Sequence, residues 1–198
     1  MVLLLVDNSE GGLLTRELKR KLTLYDITYE VVQGGGQLRK GWKDYYDKVI
    51  LSGGPKMLSD CQLCDIPTLG GCLRDADLAV NFQVLYEFPK AVLGICLGMQ
   101  LMALAYGGRV ERMPCGVQGP YLSRNGDMKH YYFHDMVSCV PCTFLRTEQR
   151  RFECVETDVC VSMRNVSGDR VGVQYHPEKS DLHVFVAFMH TPEAGTYN

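Results

Sequence analysis

Apolar and polar positions fall into two textures along this chain. In the first half, short unbroken apolar runs alternate with segments of helical period. Residues 2–6 form a continuous apolar run that ends in the turn-forming pair Asp7-Asn8. Leu14, Leu18 and Leu22 then recur every four residues among charges, which predicts an amphipathic helix. Residues 27–32 and 49–51 read as the second and third strands. A helical period over 73–85 is stopped by Pro89, and residues 91–95 make a fourth apolar strand running into the helix-like 99–105. After Gly107-Gly108 the texture changes to short strands with turn signals. Residues 117–122 and 128–133 flank Asn125-Gly126, a strong hairpin dipeptide, and 159–163 and 171–174 flank a turn at Ser167-Gly168. A last amphipathic helix is predicted over 182–189.

Strand, helix, strand, helix, strand with short connections predicts an α/β fold: a mostly parallel, doubly wound sheet. The second half adds an antiparallel edge. At 198 residues the chain fits a single domain, 1–198, with a sizeable core. With 46% hydrophobic and 22% charged residues it is ordinary globular material. A net charge of −2 argues against a nucleic-acid surface. No apolar run is long enough to span a membrane, and the first strand lacks the basic lead of a signal peptide, so the expectation is a soluble, cytoplasmic protein. Nine cysteines without a secretory signal are expected to be free thiols. The pairs Cys61/Cys64 and Cys139/Cys142 lie too far apart in sequence for a compact zinc ribbon, and no metal site is expected.

The chemistry concentrates at Gly94-Ile95-Cys96-Leu97-Gly98, where an apolar strand meets a helix with one cysteine between them. This is the cysteine form of a nucleophile elbow. Glycine two places either side permits the close approach that so sharp a corner demands. The thiol stands at a helix N-terminus, where partial positive charge favours thiolate. A cysteine nucleophile needs a base, and the base an orienting acceptor. His176 follows an apolar strand, and Glu178 lies two residues on across Pro177, which fixes the local backbone. His183 and His190 belong to the last helix as exposed or packing residues. His130 and His134 lie in or beside the hairpin, with a structural role as the default. Ser52-Gly53-Gly54-Pro55 follows the third strand. Pro55 and the missing Asp-Ser separate it from the S-G-G-x-D-S loop of ATP pyrophosphatases, and its bare backbone N–H groups suit an oxyanion hole. Gly34-Gly35-Gly36 fits no phosphate-loop spacing and reads as plain loop. The mixed basic and aromatic stretch 40–47 reads as a surface segment covering the sheet.

Gly94-Ile-Cys96-Leu-Gly98-Met-Gln100 together with Val173-Gln-Tyr-His176-Pro-Glu178 resembles the class I (triad) glutamine amidotransferases, over nearly the whole chain. The segments Ile50–Pro55, Gly98–Ala103 and Gly107–Glu111 look most like the glutaminase part of GMP synthetases. The resemblance implies a flavodoxin-like fold, with Cys96 as nucleophile, His176 as base and Glu178 as its orienter. It further implies Gly54 and Leu97 N–H groups as the oxyanion hole, and Gln100, His134 and Asp135 on the substrate side. The expected reaction is hydrolysis of L-glutamine through a cysteine thioester, with ammonia passed to a separate ATP-dependent synthetase subunit. No cofactor is expected in this chain, and ATP and Mg are expected on the partner. Two departures bear on the acceptor: Met113-Pro-Cys-Gly116 replaces an Arg-Glu-Tyr-Gly-like segment, and Lys179-Ser180 is commoner in amidotransferases for imidazole glycerol phosphate and anthranilate. The competing readings are amidotransfer to such another acceptor, a stand-alone γ-glutamyl hydrolase and a catalytically silent subunit.

Overall fold

The computed structural model describes residues 1–9, 12, 15–59, 76–123, 126–153, 155–180 and 182–190. Leu14, Cys61, Cys64, residues 73–75 and Asn125, all used above, lie outside them. The chain runs β1 (Val2–Asp7), α1 (Arg16–Leu24), β2 (Thr28–Gln33), α2 (Trp42–Tyr45), β3 (Lys48–Leu51), a 3-10 turn (Ala76–Leu78), α3 (Ala79–Glu87), β4 (Val92–Ile95) and α4 (Leu97–Ala105). It continues through β5 (Arg109–Leu122), β6 (Met128–Cys139), β7 (Phe144–Arg150), β8 (Val159–Asn165), β9 (Arg170–Val173), α5 (Pro177–Ser180) and α6 (Leu182–Met189). Seven strands form one sheet in the order β2-β1-β3-β4-β9-β8-β7. The five strands from β2 to β9 are mutually parallel, and β8 and β7 close one edge antiparallel. The doubly wound sheet with an antiparallel edge is therefore as the sequence predicts.

The continuous apolar strands follow from burial on both faces. Side chains alternate along each strand, so Leu4 and Val6 of β1 join Val49, Leu51 and Val92 in one core with α3 and α4. Leu3, Leu5, Ile50, Leu93 and Ile95 face the other core, closed by Leu18 and Leu22 of α1 and Phe185 and Phe188 of α6. Segment 40–47 does cover the sheet: Trp42 is buried and stacks on Phe88, with ring centroids 5.5 Å apart.

The hairpin differs from its expectation. β5 and β6 pair only with each other, as a separate two-stranded sheet, and are about twice the predicted length. Between the pairs Arg112↔Asp135 and Val117↔Phe133 the register shifts, so residues 113–116 bulge opposite His134. This bulge is the Met113–Gly116 segment that departs from the resembled pattern. Among the described cysteines, Cys96, Cys139, Cys142 and Cys160 are free, but Cys115 in the bulge is disulfide-bonded. The expectation of free thiols throughout is corrected there. No helix among the described residues is long and apolar enough to cross a membrane, and no described group of three or more His, Cys, Asp or Glu could hold a metal.

Candidate active site

The corner between β4 and α4 is as tight as the glycine spacing requires. A Cβ on Gly94 would lie 2.6 Å from the Gly98 carbonyl carbon and oxygen, and one on Gly98 would lie 2.3 Å from the Leu51 oxygen. Only glycine lets the helix start directly over strands β3 and β4. Cys96 takes the strain: its φ of 52° and ψ of −105° are rare for a residue with a side chain. Leu97 is the first residue of α4, so its N–H is among the first-turn donors without an intrahelical partner.

The parallel order β3-β4-β9 brings three strand ends side by side. Gly53 and Gly54 leave β3, Cys96 leaves β4 and His176 leaves β9. A Cβ built on Gly53 would stand 3.0 Å from His176 Cε1 and 3.4 Å from Cys96 Cβ, so the loop runs against both residues. One on Gly54 would lie 2.9 Å from Leu97 Cδ2, which puts the two predicted oxyanion residues in contact. His176 Nδ1 shares a hydrogen bond of 2.7 Å with Glu178 Oε1. All three residues Cys96, His176 and Glu178 are buried. Burial works against a charged imidazole at His176, but hydrogen bonding and charge from Cys96 and Glu178 outweigh it and raise its pKa to about 10. In the resting geometry the Cys96 thiol donates to the Tyr132 carbonyl at 3.4 Å and His176 Nε2 is buried without a hydrogen bond, so the thiol must turn from β6 to pair with the ring.

Over the thiol lies a narrow cleft of about 40 Å³, lined by Gly54, Pro55, Cys96, Gln100, His134 and Asp135 among others. A larger cavity lined by Asn8, Gly34, Gly35, Gly36 and Leu97 borders the same loop without including Cys96. All eight sequence-predicted site residues therefore meet at one face.

Their side chains are engaged differently. Gln100 is buried and donates from Nε2 to the Asp135 carbonyl at 2.7 Å. The Asp135 carboxylate is buried too, accepting from Ser59 N at 2.9 Å and Ser59 Oγ at 2.6 Å, with Arg112 Nε at 3.8 Å. His134 is exposed and its ring lies over Gly116 of the bulge, where a Cβ would come within 2.2 Å of it. His183 and His190 are exposed on or just after α6. Two participants were assigned no role from sequence. Ser59 ties the loop after β3 to β6, and Gln174 touches the thiol from the end of β9.

The scaffold is a mainly parallel α/β sheet that carries a strained cysteine between strand and helix, with a histidine–carboxylate pair at the neighbouring strand end. The sequence matches the family described as glutamine amidotransferase class-I over residues 4–182, and the chain belongs to that family. The glutamine-hydrolyzing GMP synthase subunit of Methanococcus maripaludis strain C5 is 30% identical over 185 residues, 87% of this chain and 86% of that protein. The protein of the same description from Methanocaldococcus jannaschii is 28% identical, covering 89% and 88%. An aminodeoxychorismate synthase of Streptomyces griseus is 30% identical over 71% of this chain, but over only 18% of its own length. Among solved structures, a putative GMP synthase subunit from Thermoplasma acidophilum superposes with a TM-score of 0.69 at 18% identity, covering 96% of this chain and 92% of the other. A glutamine amidotransferase from Thermotoga maritima gives 0.64 at 21% identity, with coverage of 90% and 76%. These structures share the fold.

Proposed function

We propose that this chain is a glutaminase subunit that hydrolyses L-glutamine at Cys96 and passes ammonia to a separate ATP-dependent synthetase, with XMP as acceptor in GMP synthesis. The observation that carries the chemistry is the juxtaposition of Cys96, at positive φ, with the buried His176–Glu178 pair. The likeness to glutamine-hydrolyzing GMP synthase subunits along nearly their whole length supports the acceptor.

In this reading Cys96 gives its thiol proton to His176 and its sulfur attacks the side-chain amide carbon of glutamine. The developing oxyanion is received by the N–H groups of Gly54 and Leu97. His176, held by Glu178, delivers a proton to the departing nitrogen, and ammonia leaves a γ-glutamyl thioester. Water, deprotonated by His176, then cleaves the thioester to release glutamate and restore the thiol. Gln100 and His134 hold the substrate, and Asp135 keeps the loop 55–59 over it. ATP and Mg belong to the partner.

Glutamate release by the chain alone, then with a GMP-type synthetase subunit, XMP, ATP and Mg, tests the reading. Weak basal hydrolysis that rises on adding this synthetase and substrates is the expected result. Full activity alone, unchanged by the synthetase, would favour a stand-alone hydrolase. Stimulation by an aminodeoxychorismate-type synthetase instead would move the acceptor while keeping the chemistry.

A further inference from the structure

Gln174 has no solvent exposure (0%) and no part in the steps above. Its backbone is fixed by donation to the Val161 carbonyl at 2.9 Å. Its side chain bridges two site residues: Oε1 accepts from Gln100 Nε2 at 3.2 Å, and Nε2 donates to Cys96 Sγ at 3.5 Å. The amide orientation follows from its neighbours. The Asp135 carbonyl can only accept, so the Gln100 atom facing it is the nitrogen. That same nitrogen faces Gln174, which must present its oxygen there and so turns its NH2 to the sulfur.

We propose that Gln174 is a positioning residue for the nucleophile, holding the Cys96 sulfur as a hydrogen-bond acceptor and favouring its thiolate. The proposal rests on Cys96 being the nucleophile. In the neutral thiol, the S–H donates to the Tyr132 carbonyl and ties the sulfur to β6. Once the proton leaves, that carbonyl has nothing to accept and repels the charge. The bond from Gln174 strengthens with the same change, because its acceptor becomes ionised. Ionisation thus frees the sulfur from β6 while Gln174 keeps it beside His176. Gln100 and the Asp135 carbonyl hold the donor in place, so the nucleophile is oriented by the cleft that receives substrate.

Two substitutions separate this from mere filling of space. Gln174→Met keeps the length and removes the donor. Gln174→Glu keeps the shape and the bond from Gln100, but cannot donate to sulfur while ionised. The readouts are the rate of Cys96 alkylation by iodoacetamide, mapped to its peptide, and kcat and KM for glutamine with the synthetase present. A hydrogen bond to a charged acceptor shifts the thiolate share by about 10- to 100-fold. The greater nucleophilicity of a less stabilised thiolate offsets about half of that on a logarithmic scale. Gln174→Met should therefore slow alkylation about 3- to 10-fold and lower kcat, with KM within about twofold of wild type because Gln100 keeps its bond to Asp135. If that variant fails to fold, Gln174→Glu carries the test: its alkylation rate relative to wild type should recover as pH falls and the buried carboxyl becomes a neutral donor. Alkylation and kcat unchanged in folded Gln174→Met, a loss confined to KM, or a flat pH ratio for Gln174→Glu would overturn the proposal. Gln174-dependent labelling in a chain that hydrolyses no glutamine would leave it standing and refute the glutaminase reading. A good glutaminase indifferent to Gln174 would do the reverse.

Discussion

Replacing Glu178 with glutamine keeps the shape of the His176 partner and removes its charge. In the structure the two groups are buried and joined by a bond of 2.7 Å from Nδ1 to Oε1. A glutamine oxygen can still accept from Nδ1–H, so the ring should keep its tautomer. What disappears is the charge that stabilises imidazolium during proton transfer. Hydrogen bonds to charged partners stabilise by about 1.5–3 kcal/mol and neutral ones by about 0.5–1.5, so the bond itself loses about 1–1.5 kcal/mol. That is about 5- to 13-fold in rate. The loss of charge beyond the bond, in a buried site, adds to it and sets the expected fall in kcat at about 10- to 100-fold. Removing the proton carrier in His176→Ala should cost about 10³-fold or more, and the double variant should be no worse than His176→Ala. Glutamate release at saturating glutamine, with the synthetase present, measures all three. Thermal unfolding is measured beside it: Glu178→Gln removes one partner of a buried pair and should lower Tm, so the rates are compared at a temperature where every variant is folded. Equal losses in the single variants, multiplying in the double, would refute the idea that the pair acts as one unit.

Three further outcomes are expected. Gly54→Ala should destabilise by about 1–3 kcal/mol and lower kcat, since its Cβ would meet the Asn8 carbonyl oxygen at 2.4 Å and Leu97 at 2.9 Å; chemical denaturation and initial rates check both. Because the His176 pKa is raised to about 10, the folded state holds this proton more tightly than the unfolded chain, whose histidine titrates near about 6.5. Its contribution to stability is complete below about pH 6.5 and is lost as pH rises through about 10, so the Tm gap between wild type and His176→Gln should be widest near pH 6 and narrow towards pH 10. Asp135→Asn should reduce stimulation by the synthetase more than basal hydrolysis, because the carboxylate holds Ser59 and the loop over the cleft; equal reductions in the two rates would contradict that role.

How legible each part was depended on how local its cause is. Strands β1, β3 and β4 could be read because burial on both faces makes them unbroken apolar runs. The edge strand β7 could not: Leu145, Arg146 and Thr147 are exposed, so its sequence lacks a clean alternation. The full hairpin was hidden by the bulge at 113–116, whose proline and glycine break the period. Cys96 announced itself through Gly94 and Gly98, a requirement written within five residues. Gln174 did not, since its partners lie 74 and 78 residues away. His134 and Asp135 read as one substrate-side pair, but neighbours on a strand face opposite ways. One lies exposed over Gly116 and the other buried against Ser59.

The same alternation gives β6 its place in the site. Its backbone touches each loop that carries chemistry: the His130 carbonyl accepts from His176 N at 2.7 Å, the Tyr132 carbonyl from the Cys96 thiol, and the Asp135 carbonyl from Gln100 Nε2. The Asp135 side chain adds the loop after β3. His176, Cys96, Gln100 and the loop after β3 are thus referenced to one strand that shares no ladder with the main sheet and is tied to β7 by the Lys129–Glu148 ion pair. A two-stranded ribbon is marginally stable by itself, so its register against these loops is held by the contacts just named and by Tyr131 and Phe133 in the core. Displacing it by one residue would exchange Tyr132 and Phe133 across its two faces and break every carbonyl contact at once. The parallel sheet sets where the three strand ends meet, and β6 sets which atoms face one another there.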